Sequence, residues 1–169
     1  MPKSSRRATW HFLQRRITLF VGAVILPNRH VLICSTVTCM DARIDPARAF
    51  NIPLGSAHVI RNAGASAKDA FRSLVISQQL LGTTEVLVVK HTGCGMLTFD
   101  NEAAREVVKK NKGEEAVNEV QDLDFLTFPE LEKAVSDDVE WLKSKKIEEG
   151  INFSGWVYEV ETGKVRKVV

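Results

Sequence analysis

Three residues with soft donor atoms stand out: Cys39 in the stretch Val37-Thr-Cys-Met-Asp-Ala-Arg43, and His91 and Cys94 in His91-Thr-Gly-Cys94. Two sulfurs and one imidazole nitrogen form a borderline-soft set that suits zinc, and three protein ligands leave a fourth position open. That donor set points to a catalytic metal centre. The competing reading is a structural zinc site, or buried thiols beside a core histidine. A structural site would require a fourth protein ligand, and Cys34 is the only spare thiol. Five residues from Cys39 in an extended strand, it faces the other way and reads as a small buried hydrophobe. Asp41 and Arg43 flank the first thiol at i, i+2, a spacing that can place both on one side of a strand end. By themselves they could equally be a surface ion pair of little energetic weight.

The elements that must carry these residues are legible in order. His30 to Thr38 is an apolar, β-branched run ending at Cys39, and its near-continuous apolar character predicts a strand buried on both faces of a parallel sheet. Asp45-Pro46 is a helix-start signal for a short helix over Pro46 to Phe50. Ala57 to Arg61 predicts a second strand, closed by Asn62-Ala-Gly64, with Gly64 free to take positive φ. Phe71, Leu74, Val75, Gln78 and Leu81 recur at three- and four-residue spacing, predicting a helix from Ala67 to Leu81 that stops at Gly82. Val86 to Lys90 predicts a third strand that delivers His91 at its carboxyl end. Both halves of the donor set thus fall at strand ends, where sites form in open α/β sheets.

Further along, Asp100 to Lys110 predicts a helix ended by Asn111-Lys-Gly113, while the acidic segment from Gly113 to Thr127 has no clear period. Pro129 to Lys145 predicts an amphipathic helix with Leu131, Val135, Val139 and Leu142 on one face. Phe153 to Glu159, a turn at Thr162-Gly163, and Lys164 to Val169 predict a closing strand-turn-strand.

The whole length, 169 residues, fits one domain. A 44% apolar and 26% charged composition excludes a disordered chain. Three cysteines with no secretory pattern argue against a disulfide framework and for a reducing compartment. The net charge of +2 hides an asymmetry: six basic residues and no acidic one precede Cys39. Residues 1–28 therefore read as a basic arm or a transit segment, with 29–169 as the folded domain. The expected location is cytoplasmic, with a mitochondrial one as the alternative. Ile17 to Leu26 is too short to span a bilayer, and basic charges without a reading motif do not suggest nucleic acid.

Cys39-Met-Asp-Ala-Arg43, His58-Val-Ile-Arg-Asn-Ala-Gly64, His91-Thr-Gly-Cys94-Gly-Met and Gly155-Trp-Val-Tyr-Glu-Val-Glu-Thr-Gly163 together resemble the β-class carbonic anhydrases, in the short form of microbes and fungi. The resemblance spans about Arg29 to Val169. It implies an α/β domain with a mainly parallel four-stranded sheet flanked by helices, one zinc per subunit, and a homodimer or tetramer. The activity it implies is reversible hydration of CO2 to bicarbonate and a proton by zinc-bound hydroxide, with Cys39, His91 and Cys94 as metal ligands. Asp41 and Arg43 would be the catalytic pair: Arg43 fixes Asp41, which orients the hydroxide or, in a closed state favoured at lower pH, itself becomes the fourth zinc ligand. Two alternatives stay open, a carbonyl sulfide hydrolase on the same site and a non-catalytic zinc-binding or sensor homologue.

The chain departs from the family pattern in places. Gly93 stands where related proteins often have Asp, and the Ser35-Thr36 pair reads as an insertion or an altered strand. His58, His30 and His11 read as core or interface histidines in preference to proton shuttles. Trp156 and Tyr158 read as packing residues.

Overall fold

The computed structural model describes residues 34–169. The expected arm, His11, His30 and the start of the first strand lie outside the described residues. Five strands form one sheet in the order β2-β1-β3-β4-β5. They are β1 (Cys34–Cys39), β2 (Ala57–Asn62), β3 (Glu85–His91), β4 (Asn152–Glu159) and β5 (Lys164–Lys167). The first four are mutually parallel, as the sequence implies, and β5 is the short antiparallel return of the closing strand-turn-strand. The sheet is therefore mixed and five-stranded, the expected four-stranded parallel part extended beyond β4 by the antiparallel β5.

β1 is buried along its whole length, between β2 and β3. Ser35 and Thr36 make no bulge: the register runs unbroken from Cys34 opposite Ala57 to Cys39 opposite Asn62. The two hydroxyl residues are absorbed differently. Ser35 Oγ lies 2.6 Å from Ser77 Oγ, and Ser77 Oγ in turn lies 2.8 Å from Thr83 Oγ1 and 2.6 Å from His58 Nδ1. His58 is thus a histidine with a hydrogen-bond partner at the amino-terminal end of the sheet, away from Cys39 and Cys94.

The helices follow their sequence signals, with two differences. α1 (Pro46–Ala49) is capped by Asp45, whose carboxylate accepts from the N–H groups of Ala47 and Arg48, a cap that contributes about 1 kcal/mol. α2 (Ala67–Val75) starts at the Ser66 cap but ends earlier than periodicity suggests, passing into a π turn over Ile76–Leu80 before Gly82. The extra residue per turn swings Ser77 and Gln78 inward and leaves Leu81 exposed, so the 3.6-residue repeat fails at its last member. α3 (Asn101–Lys112) is capped by Asp100. The second difference is α4 (Glu114–Glu119), a short helix in the segment without a clear period. It buries no residue, so no apolar repeat could announce it.

α5 (Leu131–Lys143) buries Val135, Val139 and Leu142. α2 and α5 cover one face of the sheet, where Val37, Leu74, Val86, Val88, Val139 and Leu142 form the main core. Phe71 and Trp141 join the two helices edge to face, 5.2 Å between centroids. Among the described residues no helix is long and apolar enough to cross a membrane. Gly155 lets α5 approach β4: a Cβ there would overlap Val135 and come within 3.2 Å of Val139 Cγ2. Gly155→Ala is expected to destabilise the fold by about 1–3 kcal/mol through overpacking, read as a lower midpoint in chemical denaturation.

Candidate metal centre

In the order β2-β1-β3 the chain turns from one side of β1 to the other, so the crevice between the carboxyl ends of β1 and β3 is the switch point of the sheet. Cys39 is the last residue of β1 and His91 the last of β3. Cys94 follows on the short turn after β3. One donor atom from each, Cys39, His91 and Cys94, lies within 4.8 Å of the other two, and all three residues are buried. Ile44, Met96, Phe128 and Ala134 pack around the sulfurs, which lowers the local dielectric.

Electrostatics in this pocket favour a cation. His91 Nδ1 is 2.9 Å from the Thr92 carbonyl, which can only accept, so Nδ1 carries the proton. Nε2 is then the free lone pair, and it is buried with no hydrogen-bond partner. That orphaned nitrogen beside two thiols is what a metal ligand set requires, and a carbonyl holding the other ring nitrogen is the usual support for such a histidine. The Cys94 thiol donating to Cys39 holds the Cys39 thiol far below its usual pKa, with His91 and the amides of Asp41 and Gly64 adding to the effect. The same hydrogen bond, together with burial, pushes Cys94 up. Burial alone would lower His91, but Cys39 reverses the sign and raises it. Cys34, also buried, lies outside the cluster, and desolvation raises its thiol pKa.

Asp41 and Arg43 meet as the spacing suggested. Asp41 Oδ1 accepts from the Arg43 backbone N–H at 2.8 Å and from Nε at 3.0 Å, while Oδ2 accepts from Nη2 at 2.8 Å. The Nη2 of Arg43 also reaches the Gly93 carbonyl at 3.0 Å. Gly93 has φ of 62°, so the departure from Asp at this position leaves a residue suited to its turn. Asp41 Oδ2 lies 3.9 Å from His91 Nε2, beside the donor cluster, with the carboxylate engaged by Arg43. Of the two arrangements the resemblance implies, this is the one with Asp41 on Arg43.

Two supports were not visible in the sequence. Arg61, on β2, donates from Nε to the Cys39 carbonyl at 3.1 Å and from Nη2 to the Asp41 carbonyl at 2.7 Å, clamping the backbone that carries both residues. Its only advance signal is its position one residue from the end of a strand beside β1. Thr92 Oγ1 accepts from the Val160 N–H at 3.0 Å and donates to Glu161 at 2.8 Å, tying the metal-site turn to the end of β4. Trp156 and Tyr158 are packing residues: Trp156 is buried, and Tyr158 meets Phe50 edge to face at 5.9 Å.

Comparison with known proteins agrees with this geometry. The carbonic anhydrase family profile matches residues 34–165. A β-carbonic anhydrase of Mycobacterium tuberculosis is 35% identical over 144 residues, covering 84% of this chain and 83% of that protein. The chain belongs to the β-carbonic anhydrase family. Among solved structures, the carbonic anhydrase from Glaciozyma antarctica superposes with a TM-score of 0.80 at 46% identity, covering 85% of this chain and 86% of that one. The family also includes relatives of a different name: a carbon disulfide hydrolase of Saccharolobus solfataricus is 36% identical over 156 residues, covering 78% of this chain and 74% of that protein. Within this β-carbonic anhydrase fold, the Cys-His-Cys cluster is consistent with zinc.

The Arg43 guanidinium and backbone amide hold the Asp41 carboxyl well below the usual carboxylate range. A depressed acid contributes its stabilisation above the ordinary carboxylate pKa and loses it only as pH falls through the folded value. Asp41 therefore stays ionised through all mildly acidic conditions. In Arg43→Leu the carboxyl is expected to titrate close to its ordinary value of 3.8, which a carboxyl-carbon NMR titration would measure.

Proposed function

We propose that this protein interconverts CO2 and bicarbonate at one zinc per chain held by Cys39, His91 and Cys94. The observation that carries the reading is the convergence of two buried thiols and an unpartnered imidazole nitrogen beside an Asp41 fixed by Arg43. Zinc, when bound, lowers the pKa of water enough to supply hydroxide near neutral pH, as is established for carbonic anhydrases as a class.

The chain's own residues do the rest. Kept ionised by Arg43, Asp41 can only accept a hydrogen bond. It would accept a hydrogen bond from the attacking hydroxyl, whose proton stays on its oxygen, and so aim a lone pair at the CO2 carbon. Arg43 spends its donors on Asp41 and the Gly93 carbonyl, which fixes the direction of that acceptance. Arg61 holds the backbone of Cys39 and Asp41 in one register, so ligand and orienting carboxylate move together. Water is consumed, bicarbonate leaves, and one proton passes to solvent.

A second reading is hydrolysis of carbon disulfide or carbonyl sulfide on the same donors, supported by the carbon disulfide hydrolase relatives. A zinc-holding protein without catalysis is disfavoured by the intact Asp41–Arg43 pair, which a purely structural metal does not need. We also infer a homodimer. Among the described residues β2 is a sheet edge, and Val59 on it and Leu54 and Met40 near it are exposed large apolar side chains. An uncovered edge strand with apolar neighbours favours pairing with a second copy. A tetramer would require a further surface, and analytical ultracentrifugation distinguishes the two.

The test is stopped-flow CO2 hydration by zinc-loaded protein. Hydration should be rapid in the wild type and abolished in Cys39→Ser. In Asp41→Asn it should fall by about tenfold or more, the usual cost of losing an outer-sphere partner. Slow CO2 hydration accompanied by sulfide release from carbon disulfide would establish the second reading instead.

A further inference from the structure

The residue before the end of β3 is one that the donor cluster does not use. Val86 and Val88 point into the core face under α2 and α5, and strand alternation turns Lys90 to the same side. A buried parallel strand ordinarily carries an apolar side chain there, yet Lys90 is only 2% exposed. Its ammonium is fully engaged. Nζ lies 2.7 Å from Asp138 Oδ2 on α5, and donates to the Gly64 carbonyl at 2.8 Å and to the Ala65 carbonyl at 3.2 Å. The Phe128 ring sits below it, 4.7 Å to the centroid.

Both carbonyls belong to the turn Ala63–Ala65, which follows directly on Asn62, and Asn62 sits opposite Cys39 in the sheet with its carbonyl accepting from the Met40 N–H at 2.9 Å. Gly64 has no room to shift. With φ of 70°, a Cβ on it would come within 2.9 Å of Met96 Cγ and 3.0 Å of Phe128 Cε1. Met96 and Phe128 pack against Cys39 and Cys94 in the same apolar cluster. The turn is therefore held from behind by an ammonium, confined at the side by two apolar residues, and set in front against the end of β1 that carries Cys39.

Stability alone does not call for this arrangement. Replacing a buried ion pair by apolar residues of similar volume is often neutral or stabilising. We propose that Lys90, anchored by Asp138, is a positioning residue of the metal centre, acting through the Gly64 and Ala65 carbonyls to hold the turn Ala63–Ala65 against the strand end that carries Cys39. This rests on the reading of Cys39, His91 and Cys94 as metal ligands.

The experiment is cobalt(II) substitution of the purified protein, read by the sulfur-to-cobalt charge-transfer absorption and by competition with a chromophoric chelator. The variants are Lys90→Met combined with Asp138→Leu, Asp138→Asn alone, and Lys90→Arg. The double variant should unfold, metal-free, within a few degrees of the wild type, yet bind cobalt about tenfold or more weakly with an altered charge-transfer band. Lys90→Arg, which keeps the charge and the donors, should recover most of the affinity. Wild-type affinity and an unchanged band in the double variant would overturn the proposal. If the double variant does not fold, the isosteric Asp138→Asn decides: a smaller loss in the same direction supports the role, and none overturns it. Cobalt taken up by the wild type with no thiolate band would overturn the ligand reading itself, and this proposal with it.

Discussion

Burying two thiols and an imidazole against one another is the constraint that the rest of this structure answers. Each sulfur that ionises in the apolar cluster of Ile44, Met96 and Phe128 must be met by a donor or a cation. The fold supplies donors within hydrogen-bonding reach and leaves one strong acceptor, His91 Nε2, unanswered. A soft divalent cation completes this balance, which is why the site reads as a metal centre.

The surrounding charges are arranged as neutral pairs on opposite sides of the cluster. In front, Asp41 and Arg43 form a pair open to solvent, close enough to His91 to meet a reacting group. Behind, Lys90 and Asp138 form a buried pair whose donors are spent on backbone carbonyls. The exposed pair contributes little to stability but sets direction, since bidentate geometry fixes a carboxylate as a single contact cannot. The buried pair transmits position through a turn that glycine alone fits. Arg61 adds a third fixing point on the backbone between the two.

Much of the architecture was legible because the local signals agree with one another. The Asp45-Pro46 cap and the apolar, β-branched runs that end at Cys39 and His91 each mark an element that forms where expected. The misses have physical causes. The last turn of α2 departs from periodicity because Ser77 is drawn into hydrogen bonds with Ser35, Thr83 and His58, partners 6 to 42 residues away. α4 buries nothing and so leaves no apolar trace. Ser35-Thr36 looks like an insertion in isolation, and is a regular strand once Ser77 covers it.

By itself the sequence determined the donor types, their placement at the ends of two strands, the pairing of Asp41 with Arg43, and the family pattern that joins them. These are local facts: residue chemistry, alternation along a strand and a two-residue spacing. Tertiary structure decided which nitrogen of His91 is free, that Arg61 clamps the Cys39 and Asp41 backbone, and that a lysine among valines finds Asp138 48 residues away and two carbonyls of a distant turn. Those outcomes depend on the parallel register of β1 between β2 and β3 and on where α5 crosses β4. Long-range pairing of this kind leaves no period or motif in the chain, because the partners are adjacent only once the sheet has formed.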